Sequence, residues 1–368
     1  MKENDKPKQS KQQEQEQPKC PNCGAPLNYD PEKGTLICSY CGTGVDLGEQ
    51  KDNRISGFDF EDVESHAFQE DAEDIPVFNC VSCGAEILAA REEVSLTCPY
   101  CGNNIILTGK VSGKLRPDAL IPFKIKPADL SNSLKRFYRD KKLLPKDFFS
   151  KSQLEKVTGV YVPFWAFSGE LSGDLSYNAE IRSSYTTETE EVTTVRDYRL
   201  LRNVRVDFKD LLLDASEKMQ DDYMDSIMPY DLSEAKDFDM GYLAGFAADR
   251  FDVKSKELSG RAEELMRTSA YNAVAQKAGA GYSNVRFVGG SLSADMSEVK
   301  YLLLPVYVFD LKYSGTPFRF AVNGQTGKAV GKFPKVKKTY KMFQQTRMAI
   351  AFAAVMAASV LIYFITGV

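Results

Sequence analysis

The chain of 368 residues has one histidine, one tryptophan, and no cysteine outside a Cys-x-x-Cys pair. Residues 316–347 contain no acid, and residues 348–366 contain no charge of either sign. Each shortage excludes a class of chemistry. His66 alone cannot supply a histidine-ligated catalytic metal, and no nucleophile pattern stands near it to make a Ser-His or Cys-His pair. It is expected to be a solvated side chain. Neither a Gly-x-Ser-x-Gly elbow nor a phosphate loop occurs; Gly-Gln-Thr-Gly-Lys at 324–328 has the wrong spacing and reads as a turn. No carboxylate set stands out from a generally acidic surface, so the chain is not expected to be an enzyme. Residues 1–19 are Lys, Gln, Glu and Pro without an apolar run, which is neither a signal peptide nor an anchor. That composition predicts a disordered tail and leaves the head in the cytosol, where thiols stay reduced.

The eight cysteines form two matched sets. Cys20, Cys23, Cys38 and Cys41 make the first; Cys80, Cys83, Cys98 and Cys101 make the second, sixty positions on. Fourteen residues separate the two pairs in each set. Cys-x-x-Cys-Gly-Ala opens both, Leu36 matches Leu96, Tyr40-Cys41-Gly42 matches Tyr100-Cys101-Gly102, and Leu47 matches Leu107. Two thiolates three positions apart can bind one ion from a tight turn, and the glycine after the second lets the backbone fold back toward the sulfurs. Two structural four-thiolate zinc sites are predicted, one ion each; an iron site of rubredoxin type uses the same ligands and stays open. The repeat resembles the zinc-ribbon family, specifically its transcription-factor-IIB-like bacterial members. Ribbon 1 spans 20–47 and ribbon 2 spans 80–109.

Zinc ribbons often touch nucleic acid, but each of these carries a net charge of −2 and no basic stripe, so phosphate is a poor match. Between them, 48–79 reads as an acidic linker whose phenylalanines either bind a partner or dock on the head.

Residues 110–335 are expected to form a mixed, β-rich central domain with a helical insert, giving an α+β class overall. Leu130, Leu134 and Phe137 recur at helical spacing, with Lys135, Arg136 and Arg139 on other faces. A second short helix is expected over 147–157. Strands are expected over 160–171, 175–181 and 186–205, then a helical insert over 208–277 whose last helix presents Leu258, Ala262, Leu265 and Ser269. Further strands are expected over 285–291, 301–313 and 318–322, and Asn323-Gly-Gln-Thr-Gly327 closes a hairpin onto 328–330. Tyr161-Val-Pro163-Phe-Trp165-Ala-Phe167 echoes Leu303-Leu-Pro305-Val-Tyr307-Val-Phe309 at an offset of 142. Two related β units would explain this, and so would chance similarity between two buried strands.

The order of these pieces also resembles a bacterial zinc-ribbon membrane protein family, carried by Ala119-Leu-Ile-Pro-Phe-Lys-Ile125, Gly159-Val-Tyr-Val-Pro-Phe-Trp165, Leu304-Pro-Val-Tyr307 and Asn323-Gly-Gln-Thr-Gly327. Its members are sometimes mislabelled helicase- or phage-replication-like, and some are encoded beside phage-shock-type and SPFH (flotillin-like) proteins. The resemblance implies an envelope-stress scaffold.

Residues 348–366 are nineteen apolar positions, about 28 Å as a helix and close to the ~30 Å bilayer core. The alternative is a buried core helix. Lys332, Lys335, Lys337, Lys338, Lys341 and Arg347 precede the run, the last five in or beside a basic juxtamembrane segment over 336–347. By the positive-inside rule these bases hold the head in the cytoplasm and face anionic lipid. The function expected is a single-pass, inner-membrane scaffold or adaptor with protein partners; the alternative is a membrane-tethered nucleic-acid factor.

Overall fold

A computed structural model describes residues 19–47, 58–59, 75–88, 98–101, 103, 106–111, 116–139, 141, 144–145, 148, 153–154 and 157–334 except 187–189 and 279. The tail over 1–18, most of the acidic linker with His66, the basic segment 336–347 and the apolar run 348–366 lie outside these residues. Among the described residues, no helix is long and apolar enough to cross a membrane.

The protein is mixed α+β, dominated by one large sheet. The first ribbon is a separate three-stranded antiparallel sheet of β1 (Leu27–Asp30), β2 (Thr35–Cys38) and β3 (Gly44–Val45). A two-residue strand from the linker, β4 (Phe58–Asp59), pairs with the main sheet. The second ribbon supplies β5 (Ile75–Asn79), β6 (Glu86–Leu88) and β7 (Ile106–Val111). The central segment adds β8 (Ala119–Leu120), α1 (Leu130–Tyr138) and β9 (Gln153–Leu154). Two long strands follow, β10 (Thr158–Thr186) and β11 (Glu191–Asp214). Next come α2 (Asp221–Ile227), β12 (Lys236–Asp237), β13 (Ala247–Asp249) and α3 (Ser255–Ala278). The last elements are β14 (Ser283–Tyr313), β15 (Thr316–Asn323) and β16 (Ala329–Gly331).

β10 lies between β11 and β14, antiparallel to both. Its apolar stretch, like that of β14, is buried on both faces, which is why both read as unbroken runs instead of alternation. One face carries Tyr161, Phe167, Leu303 and Tyr307 and is covered by α1, α3 and the first ribbon. The other carries Val162, Phe164, Leu304 and Val306 and is covered by α2 and the second ribbon.

The echo between the two apolar runs is a structural duplication. The two runs pair with each other: Tyr161 opposite Pro305, Val162 opposite Leu304, Pro163 opposite Leu303. Exchanging each residue for its counterpart 142 positions away returns the same pairs, so a local twofold passes between Val162 and Leu304. The neighbours follow it. β13 runs parallel to β10 with Ala247 at Val160, and β8 runs parallel to β14 with Ala119 at Leu302. Trp165 donates its indole N–H to the Val253 carbonyl (2.9 Å), and its counterpart Tyr307 donates its hydroxyl to the Ile125 carbonyl (2.7 Å). The Ala215 amide donates to the Pro163 carbonyl as the Gly324 amide does to that of Pro305. α1 and α3 occupy matching places, with Leu134 and Ala262 as counterparts, both buried.

The structure corrects four expectations. The helical insert expected over 208–277 is mixed: residues 208–214 end β11, and β12 and β13 lie between α2 and α3. Residues 153–154 form β9 against β14 where a second short helix was expected. The strands expected over 160–171 and 175–181 are one strand, as are those over 285–291 and 301–313. Their glycines are points of close approach and not breaks: a Cβ on Gly173 would sit 2.2 Å from the Ser291 carbonyl oxygen, and one on Gly290 2.0 Å from that of Asp174. On α3 the buried row is Ala262, Met266 and Ala270, whereas Leu265 and Ser269 are exposed.

Candidate metal centres

Each cysteine set converges on a point. The ligand sulfurs of Cys20, Cys23, Cys38 and Cys41 all lie within 4.8 Å of one another, as do those of Cys80, Cys83, Cys98 and Cys101. Among the described residues these are the two clusters of metal-ligating side chains. The turns that hold them are alike. Cys20 and Cys80 each receive the amide of the glycine four positions on and donate their own amide to the carbonyl of the alanine five positions on. The Cys38 amide reaches the Thr43 carbonyl and the Cys98 amide that of Asn103 by the same rule. Gly24 and Gly84 sit at φ +72° and +74°, so each needs a residue without a Cβ.

Sulfur–sulfur distances of 3.4 Å (Cys20–Cys41), 3.5 Å (Cys23–Cys38), 3.4 Å (Cys80–Cys101) and 3.6 Å (Cys83–Cys98) are far beyond the ~2.05 Å of a disulfide. They match the edges of a tetrahedron around an ion bonded at about 2.3 Å, roughly 3.8 Å each. The electrostatics agree. Burial opposes ionisation of Cys80, but the amides of Cys83 and Ser82 outweigh it and bring the thiol down to about 7. The hydroxyl and amide of Thr43 bring Cys41 down to about 6. Burial pushes Cys98 up. Four sulfurs this close cannot all shed their protons without a cation among them, and each cluster therefore fits one metal ion. With four protein ligands no coordination position is left for substrate.

The two centres differ in their surroundings. Tyr40 projects into solvent, 82% exposed, while its counterpart Tyr100 is 8% exposed and donates its hydroxyl to Asp249 Oδ2 at 2.6 Å. Ser216 donates to the same oxygen at 2.7 Å. Burial pushes Asp249 up to about 6, against the pull of Lys218. Two residues before Ser216, Asp214 is buried, and burial pushes it up to about 8. Its Oδ1 accepts the Ser216 amide while its Oδ2 has no partner among the described residues. β6 continues this attachment by pairing with β13, Ile87 opposite Asp249.

Ribbon 1 docks differently. The Tyr29 amide donates to the Ala244 carbonyl, the Tyr29 ring meets that of Tyr242 edge-on at 5.2 Å, and Lys126 pairs with Asp30 and Glu32. Beside Cys83 opens a cleft of 660 Å³ lined by Glu86, Lys218, Arg250, Asp252 and Lys254. Four of these charges meet in pairs, Arg250 with Glu86 (2.8 Å) and Lys218 with Asp252 (2.5 Å).

The protein YdjG of Bacillus subtilis (strain 168), itself uncharacterized, is 33% identical to this chain over 322 residues, which is 86% of this chain and 89% of YdjG. The chain belongs to the YdjG family. No family model matches it, and no solved structure does. For the YdjG family the likeness brings no activity with it, so function has to be argued from the centres themselves. The grouping of the eight cysteines into two sets of four was legible in the sequence. Asp249, Ser216 and Asp214 were not, because no spacing connects Tyr100 to a partner 149 positions away.

Proposed function

We propose that the protein is a zinc-bound scaffold, anchored in the inner membrane by residues 348–366, that gathers soluble protein partners at the cytoplasmic face. The observation that carries this reading is the pair of closed four-cysteine centres clamped to opposite faces of one sheet. Closed thiolate sites stabilise structure and leave no position for a substrate. Zinc is the ion that such donor sets hold without redox chemistry. The described chain ends at residue 334, where Phe333 packs against Phe137 and Tyr138 of α1. From there Lys335, Lys337, Lys338, Lys341 and Arg347 lead to the apolar run, consistent with anionic lipid contact. Partners of phage-shock and SPFH type rest on the resemblance alone. Nucleic acid is not expected, given the negative charge of both ribbons.

The test is affinity capture of the full chain from crosslinked membranes, with and without nuclease, beside a chain lacking 348–368. The reading expects the full chain in the membrane fraction, the truncated chain in the soluble fraction, and protein partners that survive nuclease. A truncated chain that still sediments in high salt would remove the anchor from the proposal. Partners lost with nuclease would replace the scaffold by a nucleic-acid factor.

A further inference from the structure

Beyond its root, β10, β11 and the first half of β14 project as a three-stranded blade, with α3 on one face. Along β11 the even positions 192–208 turn toward α3 and are half-buried or buried, apart from Thr194 and Arg196 near the tip. The odd positions 191–209 are all exposed on the other face. Among the described strands β11 pairs with β10 alone, so among the described residues no strand covers its outer edge. An open edge of this length is a template for another strand, and folded proteins ordinarily shorten, bulge or cover such edges. The exposed face carries two large apolar side chains on this strand, Leu201 at 72% and Val195 at 47% exposed. Between them stand Asp197 and Arg199, neither in an ion pair with any described residue.

We infer that β11 is a homodimer interface, formed by antiparallel pairing with β11 of a second copy about a twofold at Tyr198. In that register Asp197 faces the partner's Arg199, Val195 faces the partner's Leu201, Thr193 faces the partner's Asn203, and Glu191 faces the partner's Arg205. The twofold repeats every contact. Both exposed apolar residues therefore meet each other, and the unpaired charges between them cancel. On the α3 side no like charges oppose: Arg196 meets Leu200 and Arg202 meets Thr194. A register centred on Asn203 also matches charges, but it sets Leu201 against Arg205 and runs into Asp210, whose φ of 54° interrupts the extended strand. Directly opposed cross-strand pairs are the unit that selects register, and apolar and opposite-charge pairs both favour this one. The assembled blade is a six-stranded sheet with two α3 helices on one face.

Light scattering on the full chain in mild detergent tests the interface. Wild type is expected to be a dimer. Arg199→Asp places two Asp–Asp pairs across the twofold and should raise the dimer dissociation constant roughly tenfold or more. Adding Asp197→Arg to that variant reverses both charges and should return the dimer. Thermal melting and metal content, equal across the three proteins, show that the fold is intact. A monomeric wild type overturns the inference. So does a dimer indifferent to Arg199→Asp, which would place the contact elsewhere, or a β11 found crosslinked to a different protein in membranes.

Discussion

Asp214 and Asn323 occupy matching places in the two halves, and the difference between their side chains is one atom. Asn323 uses every group it has: its amide nitrogen donates to the carbonyls of Ile227 and Pro229, and its oxygen accepts the amides of Gln325 and Thr326. Asp214 keeps the same oxygen contact, but no described residue donates to its Oδ2. Its folded pKa of about 8 lies above the ordinary 3.8, so folding takes up a proton between those limits. The stability this brings is complete below pH 4 and is lost as pH rises through 8, at up to about 1.4 kcal/mol per pH unit. Asp214→Asn cannot ionise. Its melting temperature should match wild type below pH 4 and exceed it at pH 8.5; parallel curves would show that Asp214 is not the titrating group. The two tyrosines offer a second comparison. Tyr100→Phe removes one of the two hydroxyl donors to the buried Asp249 Oδ2 and should cost about 1–3 kcal/mol, while Tyr40→Phe, in solvent, should cost nothing measurable by denaturant titration.

At the scale of elements, what the sequence showed and what it hid have a common cause. The knuckles were legible because glycine and cysteine spacing dictate a local turn. α1 was legible because a short helix on a sheet has one buried side and follows its period. β10 was misread as broken because Ser172-Gly173 carries turn chemistry in isolation, and β14, whose Gly289-Gly290 lies inside an expected strand, because residues 292–300 are largely polar. In the fold those glycines let neighbouring backbones approach, and only the partner strand reveals that. Gly290→Ala should therefore destabilise strongly, by about 2 kcal/mol or more, since the new Cβ meets a backbone oxygen that cannot yield. Gly260, within α3 and with open space around it, gives the opposite sign. Gly260→Ala should stabilise by about 0.5–1 kcal/mol by restricting the unfolded chain. Equal effects from the two substitutions would contradict this account of the blade.

For the whole molecule, the metal centres and the duplicated core are expected to behave as separable layers of stability. Chelation under reducing conditions should release two metal ions per chain and, because metal binding is folding energy for ribbons this small, unlock both. Hydrogen exchange should then rise at Cys20, Cys80 and Ile87 while Val162 and Leu304 stay protected. Exchange that spread to the central pair would make centres and core a single cooperative unit. The duplication itself was half visible: the echo between two apolar runs allowed it beside chance similarity, but their mutual pairing and the matched Trp165 and Tyr307 bonds appear only in the fold. That pairing also bears on how the chain is made. Val162 and Leu304 are neighbours although 142 positions separate them. At a synthesis rate of roughly 5–20 residues per second, β10 waits on the order of ten seconds for β14 to leave the ribosome. β11 arrives promptly but guards one edge only, so the buried apolar run of β10 spends that interval with its other edge bare. Soluble yield should accordingly follow the supply of chaperones during translation more closely than it follows the stability of the finished fold.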